Sequence, residues 1–236
     1  MAGRIFVTGD VHRNLDIEKL WWKNFRTQEQ LDRDDYMIIL GDFGAVWDKY
    51  TDGKILSWWE SKPYTTLFID GNHENFDLLD KYPIEEKLGG KVGIIKPHVW
   101  HLLRGESYHI AERDFWCFGG ARSIDLANRR MGKTWWSQEM PSDADYQNGL
   151  LGLEKINYKP DYILTHDAPI TIIPKLEKLA GFSLASYDEE EQKLREYLAN
   201  IQESTAYEGW YFGHYHMDHR IDKYTYVMYN EIKELL

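Results

Sequence analysis

The sequence predicts an α/β fold of two mixed sheets packed face to face, with helices outside. Three observations carry this expectation. Strand-like apolar runs alternate with helix-like runs through the first third of the 236-residue chain, the pattern of a mostly parallel sheet with helices packed on it. The middle third replaces that alternation with short aromatic runs separated by turns, which suits antiparallel strands. Strand-like runs then return, so that the middle and C-terminal strands together would form a second sheet.

Taken in order, RIFVTG (4–9) reads as a buried strand, and Asn14 or Asp16 is placed to cap a helix over IEKLWWKNF (17–25). YMIILG (36–41) and TTLFIDG (65–71) read as two more buried strands. HVWHLL (98–103), SYHIA (107–111) and DFWCFGG (114–120) are the aromatic strands of the middle. Residues 142–157 and 186–200 read as helices, the acidic run at 188–191 being the solvated start of the second. DYILTH (161–166), GWYFGH (209–214) and YTYVMY (224–229) close the series as strands. The length suits one domain over 1–236.

Composition excludes several classes. No apolar run approaches the ~20 residues of a membrane span, and the opening MAGRIFVTGDVH lacks the apolar core and cleavage site of a signal peptide. The single cysteine, Cys117, allows no intrachain disulfide. It predicts a reducing, cytoplasmic setting and a small buried side chain. With 28 Lys and Arg against 39 Asp and Glu the net charge is −11, which argues against extended nucleic-acid binding. An anionic substrate is still admissible, because bound cations reverse a local field.

Five apolar runs end in metal-ligating side chains: Asp10 and His12 after IFVTG, Asp42 after IILG, Asn72 and His73 after LFIDG, His166 after YILT, and His214 and His216 after WYFG. Functional groups in open α/β sheets gather beyond the carboxyl ends of strands, so these five ends would share one cleft. The DVH and HYH spacings put two ligands on one side of an extended or turning backbone. Carboxylate, amide and imidazole without thiolate suits Mn²⁺ first, then Fe or Zn²⁺. So many ligands exceed one tetrahedral ion and suit two divalent ions sharing a carboxylate, a device for attack on phosphorus.

The ordered motifs GDVH, GDFG, GNHE, THD and GHYH resemble the calcineurin-like metallophosphoesterases over residues 9–216. The resemblance implies a four-layer α/β/β/α sandwich with a dinuclear centre. Asp10, His12 and His216 would hold one metal, Asn72, His166 and His214 the other, and Asp42 would bridge them. His73 would act as general acid or charge stabiliser. The implied reaction is hydrolysis of a phosphate mono- or diester in a phosphorylated small molecule or nucleotide. The rivals are a nuclease on DNA or RNA ends and a metal-binding interaction module without turnover.

Many relatives carry GDxxD, whose second carboxylate supports the imidazole after GN; here GDFGA puts Ala45 at that place. His73 is then expected to lack that partner or to borrow Asp48 or Glu74. The missing GDxxDRG arginine argues against the protein serine/threonine phosphatases. Residues 118–143 resemble a stretch of some bacterial and phage members and would flank the site. There Arg122, Arg129 and Arg130 are candidate phosphate contacts, and Trp135 or Trp136 a candidate stacking surface for a nucleobase. His98, His101, His109 and His219 fall outside the motifs, and Asp167 is expected to support the centre without ligating.

Overall fold

The computed structural model describes residues 3–48, 50, 52–184, 186 and 188–235. Strands β1 (Ile5–Thr8), β2 (Tyr36–Leu40) and β3 (Thr65–Ile69) lie parallel, with Val7 opposite Ile38 and Ile38 opposite Leu67. Because side chains alternate along a strand, this register sends Ile5, Val7, Ile38, Leu40, Leu67 and Ile69 to one face, and Phe6, Met37, Ile39 and Phe68 to the other. Both faces are apolar, so both are buried, as continuous apolar runs in parallel strands require.

The middle of the chain divides between the sheets. The hairpin β4 (Ile84–Lys87) and β5 (Gly90–Lys96) and strand β6 (Val99–Leu102) extend the first sheet. Strands β7 (Ser107–Ile110) and β8 (Arg113–Phe118) begin the second. The expectation that HVWHLL belongs to the second sheet is therefore corrected, while its expected antiparallel pairing is met by β5. Strand β6 runs parallel to β3, with Phe68 opposite His101, because Val99 and Leu102 serve the two opposite faces of the first sheet.

The second sheet continues through β9 (Tyr162–Thr165), β10 (Gly209–Phe212), β11 (His219–Arg220) and β12 (Thr225–Val227), in the order β11-β12-β10-β9-β8-β7. Strand β13 (Lys233–Glu234) returns to pair antiparallel with β1. Phe115, Cys117, Tyr162, Leu164 and Tyr211 face the first sheet, whereas Trp116, Phe118, Ile163, Trp210 and Phe212 face outward under helices. The result is the expected four-layer arrangement of two mixed sheets between helices. No described helix is long and apolar enough to cross a membrane.

Helices α1 (Asp52–Glu60) and α2 (Phe76–Leu79) cover the first sheet through Leu56, Trp59 and Leu79. Helices α3 (Asp143–Lys155), α4 (Ile173–Ala180) and α5 (Glu189–Ser204) cover the second. Ser142 and Asp145 form a capping box on α3, and Asp188 caps α5, whose acidic first turn suits the positive end of the helix dipole. The helix expected at 17–25 is instead a single 3-10 turn, Ile17–Leu20. Asp16 makes no cap because its carboxylate is held by His12 Nδ1 at 2.6 Å.

Helix α3 sits close enough to the sheet that glycine is required. A Cβ on Gly152 would lie 1.9 Å from the Gly105 carbonyl oxygen, whereas one on Gly53 in α1 would meet nothing within 4 Å. Gly152→Ala should therefore lower unfolding stability by about 1–3 kcal/mol through overpacking, despite better helix propensity. Gly53→Ala should raise it by about 0.4–1 kcal/mol. Chemical denaturation of both variants checks the contrast; equal signs would refute the packing account.

Candidate metal centre

The loops after β1 and β2 are laced together before any side chain is considered. Val11 and His12 both donate their amides to the Asp42 carbonyl, at 3.2 and 2.9 Å, and Arg13 donates to Phe43 at 3.0 Å. The turns are tight enough that His12, Asp42, His214 and His216 all adopt positive φ, between 41° and 68°. Such conformations cost of order 1–3 kcal/mol each in non-glycine residues and cluster where geometry serves function. Gly71 has no alternative residue: a Cβ there would lie 2.1 Å from Asp42 Oδ1.

Both aspartates are buried and divide their oxygens alike. Asp42 Oδ1 accepts the His73 amide at 2.7 Å, and Oδ2 lies 3.1 Å from His12 Nε2. Asp10 Oδ1 accepts the His214 amide at 3.0 Å. Asp10 Oδ2 is buried without a satisfying hydrogen bond, although His216 Nε2 lies 3.1 Å away.

The histidines are oriented from behind. His12 Nδ1 is bound to Asp16, and His166 Nδ1 donates to the Leu40 carbonyl at 2.7 Å. Each ring therefore turns Nε2 inward, where His166 Nε2 meets Asp42 Oδ1 at 3.3 Å and Asn72 Oδ1 at 3.2 Å. The Asn72 amide is held in that orientation because its Nδ2 donates to Ser123 Oγ at 3.2 Å, and Ser123 Oγ donates to the buried Glu139 at 2.6 Å. Lone pairs from a carboxylate, an amide and an imidazole thus point at one another, which only a proton or a cation can reconcile.

Among the described residues, ligand atoms lie within 4.8 Å of one another in three groups: Asp10, His12 and His216; His12, Asp42 and His73; and Asp10, Asp42 and His166. His214 stands beside them, its ring 5.1 Å from that of His166.

The electrostatics follow the same pattern. Burial lowers His12 and His166, but the Asp42 hydrogen bond and charge outweigh it and raise them to about 9 and about 10. Burial lowers His214 to about 4, with the His166 charge adding to it. Burial opposes ionisation of Asp42, yet the surrounding imidazoles hold it well below the usual carboxylate range.

His73 receives neither expected partner. Glu74 is buried and accepts the Phe43 and Gly44 amides at 2.8 and 3.1 Å, bracing the loop after Asp42, and Asp48 accepts the Tyr50 amide. Arg129 instead places Nη2 2.9 Å from His73 Nε2, while Asp42 Oδ2 is 4.0 Å away. Burial lowers the His73 pKa, and the Arg129 charge adds to this against Asp42.

Arg122 lines a cleft with His214 and His216 but has its Nη2 2.7 Å from Asp188, and the Arg130 side chain is exposed. His98, His101 and His109 pair with Glu60, Asp70 and Asp114, and His219 lies exposed on an edge strand. Asp167 is buried against Arg195 at 3.1 Å. Trp136 is buried with its edge against Trp47.

Three contributors escaped the sequence reading. Asp16 stands four residues after His12, a spacing that could have flagged it. Lys19, buried, donates to the carbonyls of Gly9, Asp10 and Tyr229, and the Tyr229 ring stacks on His216 at 4.5 Å. Nothing in the local pattern marks either of these two.

No curated protein matches the chain. The family model of the calcineurin-like phosphoesterases matches residues 3–224. With the ligand-rich strand ends brought together as above, the chain belongs to the calcineurin-like phosphoesterase family, whose activity is metal-dependent phosphoester hydrolysis.

Proposed function

We propose that the chain hydrolyses phosphate mono- or diesters at a dinuclear centre, with Mn²⁺ as the first candidate metal, in a cytoplasmic setting. The observation that carries this reading is the sharing of Asp42. Its Oδ2 lies 3.1 Å from His12 Nε2 and its Oδ1 3.3 Å from His166 Nε2, one oxygen towards a member of each ligand set, the place that a carboxylate shared by two ions would take. Asp10, His12 and His216 would hold one ion, and Asn72, His166 and His214 the other. Two such ions would make hydroxide available near neutral pH as the nucleophile towards phosphorus, and would supply positive charge for the phosphoryl oxygens.

The chain supplies the rest. Asp16 and the Leu40 carbonyl hold His12 and His166 in the tautomer that presents Nε2 inward. His73, half-buried beside Asp42, donates to the departing oxygen. Arg129, whose Nη2 lies against the His73 ring, binds the phosphoryl oxygens; burial first, and then the Arg129 charge, lower the His73 pKa, so the imidazole gives up its proton more readily.

Asp42→Ala should lose both ions, measured by elemental analysis; retention of two metals would refute the shared-carboxylate assignment. His73→Ala should keep its metal yet lose about 10²–10⁴ in kcat towards bis-p-nitrophenyl phosphate or p-nitrophenyl phosphate. Unchanged kcat would remove His73 from the reaction.

His12 and His166 rise from 6.5 to about 9 and about 10 in the folded, metal-free chain. The folded state thus holds these protons more tightly than the unfolded one. Their stabilisation is complete below about pH 6.5 and disappears as pH climbs through about 9 and about 10. Mn²⁺ binding near neutral pH should therefore release about two protons, read from the dependence of calorimetric heat on buffer ionisation enthalpy. Heat independent of the buffer would show that metal displaces no proton there.

A further inference from the structure

A cleft of about 970 Å³ runs from His214, Tyr215 and His216 to Leu179, Phe182 and Met217. Pockets of ~300–1,000 Å³ bury a drug-sized ligand, so this volume exceeds what a phosphoryl group alone would fill. The walls are mainly apolar, and Phe182 and Leu179 are 64% and 44% exposed on them.

The charges at its edge are matched among themselves. Arg122 faces Asp188 at 2.7 Å, and Arg195 pairs with Glu191 and, at 3.1 Å, with Asp167. Each of these cations already faces a carboxylate, so the cleft offers nothing to a second phosphate. On the His73 flank Arg129 keeps Nη2 beside the imidazole, 2.9 Å from Nε2, while its Nε is held by Asp125 at 2.6 Å.

We propose that this cleft receives a neutral aryl or heteroaryl group of the phosphoester, with Phe182 and Leu179 determining specificity. The proposal rests on the phosphoesterase reading above and narrows its substrate class. The phosphoryl group sits at the ligand cluster, the arginine flank meets its charge, and the organic group lies along the His214 and His216 side. A polyphosphate chain or a charged peptide would leave the apolar wall exposed and find its cations already paired. A flat ring removes Phe182 and Leu179 from water and gains an aromatic contact.

The test is calorimetric titration of the Mn²⁺-loaded full chain with phenylphosphonate and methylphosphonate, in the unaltered protein and in Phe182→Ala and Leu179→Ala. The unaltered protein should bind phenylphosphonate about tenfold or more tightly than methylphosphonate, and the ratio should fall towards one in the variants. A ratio near one in the unaltered protein, or a preference that both variants keep, would overturn the proposal. Release of nitrophenolate from bis-p-nitrophenyl phosphate and from p-nitrophenyl phosphate is followed in parallel. Discrimination without release supports the cleft and removes the phosphoesterase reading; release without discrimination overturns the cleft alone.

Discussion

Two carboxylates, Asp10 and Asp42, are buried at the ends of neighbouring parallel strands, and the surrounding loops are shaped by the need to accommodate them. An ionised carboxylate withdrawn from water is costly unless it is hydrogen-bonded and faced by positive charge. The chain meets this with one backbone amide for each, from His214 and from His73, and with the imidazoles of His12 and His166, which Asp42 holds more basic than usual. Lys19 fills the space behind Asp10 and ties its carbonyl to those of Gly9 and Tyr229. Burial lowers that lysine to about 8, with Asp10 resisting the change.

The double-sided burial of the parallel strands makes this arrangement affordable. Apolar side chains on both faces fix the register of β1, β2 and β3, so the residues just beyond each strand arrive at one edge with little freedom. The second sheet delivers His166 and His214 from adjacent parallel strands in the same way. Left-handed backbone at His12, Asp42, His214 and His216 then aims the side chains. The strain is borne by loops that are stitched to one another through their amides.

Much of this was legible in the sequence because both signals are local. Period-two apolar runs announce strands, and a ligand after a glycine announces a strand end. What was not legible depends on contacts distant in sequence. Strand β6 has the same aromatic character as β8, and only its pairing with β3 assigns it to the first sheet. The 17–25 segment has helical spacing, but Asp16 is drawn to His12 and Lys19 to the Asp10 carbonyl, and the helix stops after one turn. Ala45 left His73 either without the usual carboxylate or with Asp48 or Glu74 in its place, and both of those carboxylates bind backbone amides instead. Arg129 was marked as a candidate phosphate contact, but its place against the His73 ring, 56 residues away, depends on the fold alone.

The split duties of the carboxylate oxygens limit what can replace them. An asparagine at position 10 or 42 would keep the shape of the side chain, but it must give its one carbonyl oxygen to the waiting backbone amide. Its NH₂ group would then point at the imidazole nitrogens of His216 or His12. The mildest change in volume would thus reverse the polarity of the pocket. Alanine leaves a gap that water can occupy, whereas the isosteric amide installs a fixed donor where an acceptor is needed.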